Sequence, residues 1–99
     1  MEEKIGKVIL DTTCYPGKDL YSDGAIEDEM LAISRDFAPE EFNRVISERE
    51  SWPILYHFSH IRENILGWLP FTGEENVLEI GSGCGAVTGA LCKKAKQVT

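Results

Sequence analysis

An α/β fold is predicted for this chain, on three features of its sequence. Residues Val77 to Leu91, VLEIGSGCGAVTGAL, read as a strand, a glycine-rich turn and the opening of a helix. Upstream, apolar residues recur at helical spacing in three segments. Ahead of those, short apolar runs flank a turn signal, the pattern of a hairpin. Residues 1–70 are therefore expected to form a hairpin and helical cap region. Residues 71–99 are expected to begin a second, sheet-based domain.

The hairpin is predicted around Pro16-Gly17, with Lys7-Val8-Ile9-Leu10 and Asp19-Leu20-Tyr21 as its arms. It is expected to pack on the helices that follow, a flap over a ligand being the functional alternative. A helix then starts at Ser22-Asp23-Gly24, where Ser22 or Asp23 can cap free N–H groups. Glu27, Asp28 and Glu29 place negative charge at the positive end of the helix dipole. Its apolar stripe is Ile26, Met30 and Ile33. The three neighbouring acids point in different directions around a helix, so they predict a solvated terminus and no metal site.

Pro39 opens a second helix, with Phe42, Val45 and Ile46 on one face and an end near Glu50. Ser51-Trp52-Pro53 is read as a break, because the residue before proline is pushed from helical angles. A third helix is expected from a Ser59 cap, with Ile61, Ile65, Leu66, Trp68 and Leu69 lining one side and Pro70 ending it. Trp68 is assigned to the core, while Tyr56, His57 and Arg62 are the open candidates for an acceptor pocket. His57 and His60 are three apart, but no third ligand stands at matching spacing, so no metal site is expected.

Composition narrows the function classes. The 99 residues, 42% hydrophobic, can build one modest core. No run of about 18 apolar residues exists, so no membrane span is expected. The charged start MEEKIGKVIL is no signal peptide. Cys14, Cys84 and Cys92 form no CxxC pair and are odd in number, which fits a reduced, cytoplasmic setting. A net charge of −7 argues against a nucleic-acid backbone as the main partner.

The chemistry lies in the glycine turn. Gly81, Gly83 and Gly85 alternate, which lets the backbone turn sharply and lets a ligand approach the main chain. The first N–H groups of the next helix lack internal partners and point at a bound polar group. At Glu79-Ile80-Gly81-Ser82-Gly83-Cys84-Gly85 the chain resembles the class I S-adenosylmethionine-dependent methyltransferases. Their first motif is an acid, any residue, then Gly-x-Gly-x-Gly. The resemblance covers about the last quarter of the chain. Gly81, Gly83 and Ala86 also satisfy the dinucleotide pattern G-x-G-x-x-G/A, so a nicotinamide-dependent oxidoreductase or epimerase is the alternative. Glu79, and the roughly seventy residues ahead of the strand, favour the methyltransferase.

That resemblance implies a Rossmann-like sheet, S-adenosyl-L-methionine as cofactor, and a methyl acceptor that is a small molecule, a saccharide or a protein. It implies that Gly81, Ser82, Gly83, Cys84 and Gly85 approach the cofactor through their backbone, and that Glu79 meets its methionine amino end. It assigns no catalytic base. An acid about 20 residues beyond the glycine turn would hold the ribose hydroxyls; counted from Gly81, it falls just past Thr99. The chain is accordingly expected to be the N-terminal part of a longer enzyme, inactive when isolated as residues 1–99. Residues 1–70 are alternatively a docking module for a fused or associated transferase.

Overall fold

The computed structural model describes residues 1–99, a mixed α/β chain with two small sheets. Strands β1 (Glu2–Ile5) and β2 (Val8–Asp11) pair antiparallel, in register Glu2 with Asp11 and Ile5 with Val8. The hairpin turn is at Gly6-Lys7 and not at Pro16-Gly17. A two-residue hairpin loop needs a positive φ at its first position, and Gly6 supplies it at 62°. Asp19–Tyr21 joins no strand. All eight strand residues are exposed, so the expected packing of the hairpin on the helices is also corrected.

Helix α1 runs Ala25–Asp36, α2 Phe42–Arg49 and α3 Trp52–Phe58. They meet through Met30, Ile33, Val45 and Ile54, the last three only 0–1% exposed. Ile26, Phe37, Phe42, Ile46 and Phe58 pack around them, with Phe42 and Phe58 edge to face at 4.8 Å between ring centroids. The start of α1 differs from the expected cap. Gly24 occupies the cap position with φ 78°, and no side chain caps the helix. Instead Glu27 reaches backward and accepts from the Asp23 N–H (2.9 Å) and the Ser22 hydroxyl (3.2 Å).

Pro53 is an opener as well as a breaker. Its fixed φ and missing N–H suit the first turn of a helix, so α3 begins at the residue before it. The helix expected from Ser59 to Leu69 is absent. Ser59 accepts from the Ile61 N–H, but what it starts is a 3₁₀ helix over His60–Ile65. With three residues per turn, Ile61 and Ile65 no longer share a face, and both are exposed. Trp68 is 77% exposed, which corrects its assignment to the core. Leu66 is buried instead, in a second cluster with Ala90 and Leu91, against which Leu69, Phe71, Val77, Val87 and Val98 pack.

That second cluster sits under a strand–helix–strand unit. Strand β3 (Asn76–Val77) pairs parallel with β4 (Gln97–Val98), and α4 (Thr88–Lys94) connects them. The ladder runs on past β3: Thr99 N–H donates to the Val77 carbonyl (2.8 Å) and Glu79 N–H to the Thr99 carbonyl (2.7 Å). The entry to β3 is set by Glu75. Its carboxylate accepts from the Thr72 N–H (2.6 Å), the Thr72 hydroxyl (2.7 Å) and the Gly73 N–H (3.0 Å). Those bonds, the Thr72 N–H foremost, pull its pKa from 4.5 down to about 2. The Glu75 carbonyl also accepts from the N–H groups of Lys96 and Gln97. One residue thus closes the turn and fixes where the second strand begins.

Candidate functional site

Between β3 and α4 the chain makes the turn that the sequence singles out. Gly81, Gly83 and Gly85 have φ values of 73°, 56° and 79°, a region closed to most side chains. Gly85 N–H donates to the Ser82 carbonyl at 2.9 Å, closing the loop before α4. Glu79 stands at the loop's entrance, partly buried, and its Oε2 accepts from the Thr88 hydroxyl at 2.6 Å. The strand end and the start of the helix are tied together by that bond.

The loop forms one wall of a cleft of about 550 Å³, within the range of ligand pockets. Glu79, Gly81, Ser82, Gly83 and Cys84 line it; Gly85 does not, and serves the turn behind them. The opposite walls come from the approach to α1, through Tyr21, Ser22, Asp23 and Glu27, and from α3, through Tyr56 and His57. Of the three open candidates named from sequence, Tyr56 and His57 therefore reach the cleft. Arg62 does not. Its Nε donates to the Tyr56 carbonyl at 2.6 Å and its guanidinium lies 3.0 Å over the Tyr56 ring, beside a separate, more apolar groove.

The cleft's electrostatics are one-sided. Its lining holds three carboxylates, Asp23, Glu27 and Glu79, and no lysine or arginine. Glu27 spends its oxygens on Ser22 and Asp23, whereas the Asp23 carboxylate makes no hydrogen bond within the chain. Such a site attracts cations and repels phosphates, most strongly where water is excluded. His57 is oriented from behind: its Nδ1–H donates to the Pro53 carbonyl at 2.8 Å, one turn back along α3. His60 turns away, with its Nε2–H donating to the Pro39 carbonyl at 3.3 Å. No group of three His, Cys, Asp or Glu side chains stands ready to hold a metal.

Four residues of this site carry no sequence signal that points to it. Tyr21 was assigned to a hairpin arm and Asp23 and Glu27 to a helix start, and only the tertiary fold turns them toward the glycine loop. Thr88 carries no local signal at all, being nine residues from the carboxylate it holds. No protein-family model, curated protein or solved structure matches this chain. No helix is long and apolar enough to cross a membrane.

Proposed function

We propose that these residues belong to an S-adenosylmethionine-dependent methyltransferase and supply the cofactor's glycine loop. The observation that carries the reading is the acidic cleft wall facing that loop. The cofactor is cationic at its sulfonium and ammonium groups, and a cleft lined by three carboxylates and no lysine or arginine suits it. A nicotinamide dinucleotide carries an anionic pyrophosphate, which the same wall repels. The parallel β3–α4–β4 unit is read as the opening of a Rossmann-like sheet, with the ligand at the carboxyl end of its first strand.

When bound, the cofactor supplies an activated methyl group, so the chain's task is to hold donor and acceptor in line. Gly81 and Gly83 keep side chains off the loop's inner surface. Glu79, braced by Thr88, presents its remaining oxygen to the ammonium end. Tyr56 and His57 face the loop across the cleft, where an acceptor would enter. The acceptor is a small molecule, a saccharide or a protein side chain.

Calorimetric titration of the protein, at its native length, with S-adenosylmethionine and separately with NAD tests the reading. Micromolar binding of the first is expected, weakened about tenfold or more in Glu79→Ala, because a hydrogen bond to a charged group contributes about 1.5–3 kcal/mol. Binding of NAD alone would overturn it.

A further inference from the structure

The cleft contains one side chain built to take a proton. Of the two ring nitrogens of His57, Nδ1 is committed as donor to the Pro53 carbonyl. A neutral imidazole has a single N–H, so Nε2 is left with its lone pair free, and no group of the chain donates to it. The ring is held in place a second time by Tyr56, edge to face at 5.0 Å between centroids. His57 is half-buried and lines the same cleft as the glycine loop. An imidazole fixed in one tautomer, with its basic nitrogen unclaimed beside a binding loop, is the arrangement a general base requires.

We propose that His57 is the general base of the reaction and that the methyl acceptor is a hydroxyl group. The inference rests on the methyltransferase reading above. A hydroxyl is the acceptor that most needs such a group, since it stays protonated near neutral pH and becomes a strong acid as its oxygen is alkylated. A thiol ionises with little help. In the step, the hydroxyl oxygen bonds to the methyl carbon while the carbon–sulfur bond breaks and leaves its electron pair on sulfur. The O–H proton passes to His57 Nε2. Positive charge therefore moves from the sulfonium to the imidazolium without leaving the cleft. Asp23 and Glu79 on the facing walls stabilise it before and after. The imidazolium then gives its proton to water.

Two measurements test this, one free of any turnover. A long-range ¹H–¹⁵N correlation spectrum of the histidine-labelled protein is expected to show neutral His57 with its proton on Nδ1; an Nε2–H tautomer would overturn the proposal. The second uses His57→Asn in the protein at its native length; the asparagine amide can still donate to the Pro53 carbonyl but has nothing in the place of Nε2. This variant is expected to bind S-adenosylmethionine within about twofold of the parent. Its methyl transfer to a panel of methyl glycosides and catechol is expected to fall about 100-fold or more. Transfer by the variant within threefold of the parent, or transfer by the parent only to amines or thiols, would sink the proposal. Failure of the unsubstituted protein to bind S-adenosylmethionine removes the underlying reading instead, and the titration identifies that case separately.

Discussion

Glu75 lies outside the cleft, yet the geometry of the cleft starts from it. Its carboxylate holds the Thr72–Gly73 turn, and its carbonyl receives the first N–H groups of the β4 segment. Because its folded pKa is depressed from 4.5 to about 2, its contribution is fully present above pH ~4.5 and fades as pH falls toward 2. Thermal melts followed by circular dichroism should therefore show Glu75→Gln less stable than the parent at pH 6, with the gap narrowing below pH ~4.5 and small but still present at pH ~2.5. A gap that is independent of pH would mean that the charge is irrelevant. Glu75 is only half-buried, so the effect should be modest and should shrink in salt. At this scale the sequence was most legible where one residue type is forced by its own backbone. Gly81, Gly83 and Gly85 all take the positive φ that their spacing suggests. Partnerships were not legible. Glu79 with Thr88, and Glu27 with Ser22, depend on the path of the chain between them.

Elements whose apolar period is 3.6 were readable, and those built on other periods were not. Met30, Ile33 and Val45 fall on the predicted stripes and are buried where α1 and α2 meet α3. Ile33→Ala is expected to cost about 2–5 kcal/mol, as deletions in closed cores do. Trp68→Ala removes a larger side chain from an exposed site and should fall within about 0.5 kcal/mol of the parent. Urea unfolding of both variants checks the pair. Equal losses would show that Trp68 is packed after all. The two misread elements share a cause. Proline at 53 and glycine at 6 each allow two local outcomes, stop or start, turn or strand interior, and the tertiary environment selects between them. A 3₁₀ segment is worse still, because its three-residue turn scrambles the very spacing by which a helix is recognised.

The molecule as a whole has two small cores and a cleft where they face each other. One core is held by α1–α3 and the other by Leu66, Ala90 and Leu91. Only seven of the 99 residues are buried, and the chain exposes 7851 Å², where a compact monomer of this mass exposes roughly 5,700 Å². Leu78 and Ile80, flanking Glu79, are among the exposed apolar side chains. The strand–turn–helix order was legible because it is written along the chain. The cleft was not, because it is made by two units that have little apolar surface in common. A ligand seated there touches both units, and that has a thermodynamic consequence. Binding to the folded state alone stabilises it by about 2.7 kcal/mol at a ligand concentration 100-fold above Kd. Since the approach to α1, α3 and the glycine loop all border the site, the gain should appear on both sides of it. Amide hydrogen exchange with S-adenosylmethionine in excess is expected to slow in α1 and α3 as well as in α4. Protection confined to α4 and its loop would show that the acidic wall takes no part in holding that ligand. The helices would then be a neighbour of the site and not half of it.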